Sequence, residues 1–105
     1  MTVEVISMSG RGGRVPDGAV YVGRTVPAAR TRGEALTGSK YANRYTVKRY
    51  GVPESLRRYE EWALTQIEAD PAWLDDLAGA EAFACWCAPG PCHADVLVRL
   101  LAGRS

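Results

Sequence analysis

Residues 82–103 read AFACWCAPGPCHADVLVRLLAG, and within them one hydrophobic period gives way to another. AFACW (82–86) is short and apolar on both faces, as a strand buried between two layers must be. After a turn rich in proline and glycine, PCHADVLVRLLAG (91–103) puts Val96, Leu97, Leu100 and Leu101 on one helical face. A buried strand that feeds a helix is the repeating unit of α/β architecture.

The upstream segments extend this pattern. TVEVISM (2–8) has β-branched residues at alternate positions and predicts a strand, as does AVYVG (19–23), which leaves Arg24 at a strand end. SGRGGRVPDG (9–18) is a glycine-rich loop with two arginines; it matches neither the P-loop nor the dinucleotide fingerprint and reads as a surface loop. Residues 25–50 sustain no period, so an irregular crossing with a short strand at 45–48 is expected. PESLRRYEEWALTQIEAD (53–70) predicts a helix with Pro53 in its first turn and Leu56, Tyr59, Ala63 and Ile67 inward, the face widened by Trp62. DPAWLDDLAG (70–79) predicts another helix, with Asp70 as N-cap, Pro71 at its first position and Gly79 as its stop. The sum is one α/β domain over residues 1–105, a sandwich on a short, partly parallel sheet of about four strands.

No apolar run approaches the roughly 20 residues of a membrane span, and the N-terminus lacks the basic and apolar regions of a secretory signal. A cytoplasmic protein is expected. In a reducing compartment, clustered cysteines bind metal or do chemistry more often than they form disulfides, and three cysteines fit poorly with a disulfide framework. The formal net charge is only +1, but residues 1–50 are basic and residues 54–81 acidic. That split suits either a basic face that meets phosphate or two halves that neutralise each other in the fold.

Cys85, Cys87, Cys92 and His93, which include the only histidine, lie in the stretch that runs from the end of the strand into the start of the helix. Ligand sites of open α/β sheets collect at such strand ends. Cys85 and Cys87, two apart, share one face, and Cys92 with His93 falls at a helix start, where a thiol pKa drops. One reading makes Cys92 and His93 a reactive pair, nucleophile beside acid or base. A second makes Cys85, Cys87, Cys92 and His93 a Cys3His zinc site. A third is structural, with Cys85 in the core and His93 bonding the loop.

VYVGR (20–24), GSKYANRYTVKRYG (38–51), RRYEEWAL (57–64) and FACWCAPGPCHADVL (83–97) together resemble the family of small bacterial and phage proteins known as domain of unknown function 4326. The likeness runs from about Val20 to Leu101. It implies a Rossmann-like α/β fold and a shared site, and it supplies no reaction. Gly38, Ser39 and Asn43 fit the family pattern, whereas Ala42, Arg44 and Tyr45 stand where glycine, proline and phenylalanine are usual. Arg24 at a strand end, the polar turn Gly38-Ser39-Lys40 and Asn43 are groups that suit phosphate recognition and base or ribose contacts. Tyr41, Tyr45 and Tyr50 interleave with Lys40, Arg44, Lys48 and Arg49, which suits either stacking on nucleotides or packing of the core.

The expectation is therefore a domain binding a phosphate-bearing ligand: a nucleotide, a nucleotide-derived signal or nucleic acid. Cys92 and His93 are the candidate catalytic pair, and Arg24, Gly38, Ser39, Lys40 and Asn43 the candidate ligand contacts. The alternative is a zinc-stabilised module that binds another protein, or a phage or host regulator without catalysis.

Overall fold

The computed structural model describes residues 3–86 and 91–103. In chain order the elements are β1 (Glu4–Ser7), β2 (Ala19–Tyr21), α1 (Ala28–Thr31), α2 (Val47–Tyr50), α3 (Val52–Ala69), a 3₁₀ turn (Asp75–Leu77), β3 (Ala82–Cys85) and α4 (His93–Ala102). The strands form one sheet in the order β1-β3-β2, and both pairings are parallel. In register, Phe83 of β3 sits between Val5 and Val20, and Ala84 between Ile6 and Tyr21.

β3 is central, and all four of its residues are buried, as the doubly apolar segment predicts. Its alternate side chains divide the core. Phe83 and Cys85 join Tyr59, Ala63, Leu77, Val96 and Leu97 beneath α3 and α4. Ala84 joins Met8 and Leu36 on the opposite face, with Ile6, Val15 and Val26 packed around them. Helices thus cover one side of the sheet. Loop segments cover the other.

Two predicted elements are different in the structure. Residues 45–48 are not a strand: α2 begins at Val47, and the Thr46 side chain accepts from the Arg49 N–H as its N-cap. Gly51, at φ 77°, ends α2 and starts α3 at once, a corner that a Cβ would strain. The sheet of the described residues therefore has three strands rather than four. Residues 70–79 are not an α-helix either. Asp70 does accept from the Ala72 N–H, but the bonds that follow, Trp73 to Asp70, Asp75 to Ala72 and Leu77 to Leu74, all span three residues. That tighter winding brings Leu74 and Leu77 onto one side, and both are buried with Trp73.

α3 and α4 agree with the sequence. α3 has proline in its first turn and buries Tyr59 and Ala63. α4 buries Val96 and Leu97.

Candidate functional site

A cleft of about 590 Å³ opens beyond the C-terminal ends of β2 and β3, a size usual for a small-molecule site. Gly23, Arg24 and Thr25 enter it from the end of β2, Trp86 from the end of β3, and His93 from the first turn of α4. Arg30 of α1 and Val47 and Lys48 of α2 complete the rim. Asn43 and Thr46 also border it.

The electrostatics are one-sided. Arg24, Arg30 and Lys48 all line the cleft, and no carboxylate does among the described residues. Among the described residues, neither Arg30 nor Lys48 forms an ion pair. The Nε of Arg24 donates to the Asn43 carbonyl at 3.1 Å, which anchors this lining guanidinium. Three cations facing a partly enclosed space raise the local potential for anions.

His93 brings the first turn of α4 to the cleft wall. Cys92 is the helix N-cap, and its sulfur accepts from the Ala94 N–H while the Asp95 carboxylate accepts from the Cys92 N–H at 3.1 Å. This reciprocal capping box satisfies the amides that would otherwise be open to an anion. The sequence shows it as a Cys-x-x-Asp spacing, which the usual Ser/Thr-x-x-Glu pattern does not match. Cys92 is 1% exposed and Cys85 0%, with their sulfurs 2.7 Å apart.

His93, 5% exposed, bonds through Nε2 to the Val22 carbonyl at 2.7 Å. A carbonyl only accepts, so Nε2 carries the proton. Burial holds the imidazole below its ordinary pKa and so neutral, which leaves Nδ1 as a lone pair 3.6 Å from the Cys92 sulfur. The pair expected from the sequence is thus adjacent. It lies in the wall, with the Cys92 sulfur covered.

The other predicted ligand residues divide. Arg24 and Asn43 border the cleft, but the Asn43 side chain is engaged: Nδ2 donates to Ser55 Oγ at 2.9 Å, and Oδ1 accepts from the Tyr45 N–H at 2.9 Å. Gly38 and Ser39 support it from behind. The Gly38 N–H donates to Thr25 Oγ1 and the Ser39 N–H to the Gly23 carbonyl, tying the turn to the strand end. Lys40 points elsewhere, 3.0 Å from Asp76 and against the ring of Tyr41. Cys87, one of the four proposed metal ligands, lies outside the described residues. Among the described residues, no group of three or more His, Cys, Asp or Glu side chains could hold an ion.

The tyrosines also divide. Tyr41 is core, edge-on to Trp73 at 4.7 Å and donating to its carbonyl. Tyr45 and Tyr50 pack edge to face, with Arg49 and Arg58 over the Tyr50 ring. None of these rings faces the cleft. The aromatic that does is Trp86, along with the cations Arg30 and Lys48, and none of the three was a predicted ligand contact. Arg30 and Lys48 fall in the aperiodic stretch 25–50, where no spacing marks them. A signal for Trp86 existed: it is the first residue past a strand buried on both faces.

No curated protein and no solved structure matches the chain. The chain does match one family over residues 6–103, nearly its whole length, and it belongs to that family, Domain of unknown function (DUF4326).

Proposed function

We propose that the chain binds a phosphate-bearing ligand in the cleft at the strand ends, as a small Rossmann-like domain of the cytoplasm. The observation that carries this reading is the convergence of Arg24, Arg30 and Lys48 on one cleft without a lining carboxylate. Guanidinium and ammonium groups are the side chains that phosphate recognition uses, arginine through its two-pronged fork. Nucleotides, nucleotide-derived signals and nucleic acid all present such a group. In this reading Cys92 and His93 act by position. His93 seats the first turn of α4 against the end of β2 through the Val22 carbonyl, next to Arg24, and Cys92 caps that turn.

Calorimetric titration with inorganic pyrophosphate at low salt tests this. The Arg24→Ala/Arg30→Ala double variant should bind at least tenfold more weakly. Equal affinity in a folded double variant would defeat the proposal.

A second reading is a zinc-stabilised interaction module on Cys85, Cys87, Cys92 and His93. It draws on the Cys85–Cys92 sulfur pair and the nearby His93 Nδ1. Elemental analysis of protein purified without added zinc decides it. One tightly held equivalent, with unfolding on chelation, supports it, and a folded metal-free protein overturns it.

A further inference from the structure

Among the described residues, three large hydrophobic side chains are exposed: Val47, Leu64 and Trp86. Two of the three, Val47 (42%) and Trp86 (39%), line the cationic cleft. Exposed apolar area gathered beside charge marks a binding surface rather than a chance scatter.

Trp86 is also held in place. Its indole Nε1 donates to the Tyr21 hydroxyl at 2.9 Å, and that hydroxyl donates to the Arg24 carbonyl at 2.5 Å. The Tyr21 ring reaches this position because Gly23 has no side chain. A Cβ there would stand 2.5 Å from the Tyr21 oxygen. The exposed ring is therefore fixed before any ligand arrives, and the residue that ends its hydrogen-bond chain is the cation Arg24. A stationary aromatic face beside three cations meets two demands at once, a flat π-system and a phosphate.

We infer that the ligand is a mononucleotide, with its base stacked on the Trp86 indole and its phosphate held by Arg24, Arg30 and Lys48. This rests on the phosphate reading above and adds the base to it. Val26 and Val47 supply the apolar remainder of the cleft. A sugar phosphate or a free phosphate would leave the indole and both valines uncovered. A mononucleotide is favoured over a nucleic acid strand because, among the described residues, one exposed aromatic lines the cleft, whereas strand-binding grooves stack successive bases on successive rings.

The test titrates the full chain with adenosine 5′-monophosphate, guanosine 5′-monophosphate, ribose 5-phosphate, adenosine and a single-stranded hexanucleotide, in the wild type and in Trp86→Ala and Trp86→Phe. At least one nucleoside monophosphate should bind fivefold or more tighter than ribose 5-phosphate and quench tryptophan emission. Trp86→Ala should erase that advantage by weakening the nucleotide several-fold more than ribose 5-phosphate, and Trp86→Phe should keep most of it. If ribose 5-phosphate binds as tightly as both nucleotides, stacking is overturned and the phosphate reading stands. If adenosine binds as tightly as its monophosphate, the phosphate reading falls instead. A hexanucleotide that binds more than tenfold tighter than either monomer overturns the mononucleotide in favour of a strand. No binding by any probe overturns both.

Discussion

The Nε2–H of His93 donates to the carbonyl of Val22 at 2.7 Å, joining the first turn of α4 to the end of β2 across 71 residues of chain. The ring lies edge-on to Tyr59 at 5.1 Å, so one imidazole bridges strand, helix and aromatic core.

This contact makes stability depend on pH in a defined direction. Burial lowers the folded-state pKa of His93 below the ordinary value of 6.5. Between those two values the unfolded chain binds a proton that the folded chain refuses, so unfolding gains as pH falls. The contribution is complete above pH 6.5 and declines as pH drops from there toward the folded value. Glu54, held at about 2 by Arg57 and Arg58, acts only below its ordinary 4.5, so the two windows separate. Thermal midpoints should fall between pH 6.5 and 4.5 in the wild type. His93→Gln should flatten that slope, at the cost of a lower midpoint throughout.

Cys92 should behave as a helix cap. Cys92→Ala removes both the acceptor for the Ala94 N–H and a buried sulfur, and should cost about 1–2 kcal/mol in urea unfolding. Cys92→Ser restores an acceptor and should recover part of that loss. Neither should change phosphate affinity by more than twofold, because the sulfur is covered by the wall. A large loss of binding in a stable Cys92→Ser protein would return Cys92 to a chemical role.

Two lysines eight residues apart should differ sharply. Lys48 lines the cleft, whereas Lys40 is paired with Asp76. Lys48→Ala should weaken pyrophosphate binding several-fold and reduce its salt dependence, and Lys40→Ala should do neither. Both effects can be read from titrations at two salt concentrations.

Ser55 offers a test of the scaffold. It is fully buried, its hydroxyl donates to the Tyr45 carbonyl, and it accepts from Asn43 Nδ2. Ser55→Ala leaves both partners without it and should cost about 1–3 kcal/mol, measured by chemical denaturation. Because Asn43 borders the cleft, phosphate affinity should fall with it.

The fold was legible where burial imposes a period. The apolar run 82–85 and the stripe of α3 each state their element because one choice buries them and the others do not. Residues 25–50 were opaque because their contacts are polar and long-range: Thr25 to Gly38, Arg24 to Asn43, Asn43 to Ser55. Hydrogen bonds of that kind leave no periodicity. The site followed the same rule. Arg24 and His93 stand out by their places at a strand end and a helix start, whereas Lys48 shows only as one of the cations interleaved with tyrosines and Arg30 by no pattern, because both sit on four-residue helices too short to carry a period.

The cations of the cleft all come from residues 24–48, on loops and four-residue helices outside the main core. The segment from 82 onward supplies the frame, with its central strand, capped helix and fixed indole. Charge and frame are thus drawn from separate stretches of one chain. Under the phosphate proposal, substitutions in the first would retune charge without touching the main core, while those in the second would alter the shape of the cleft itself.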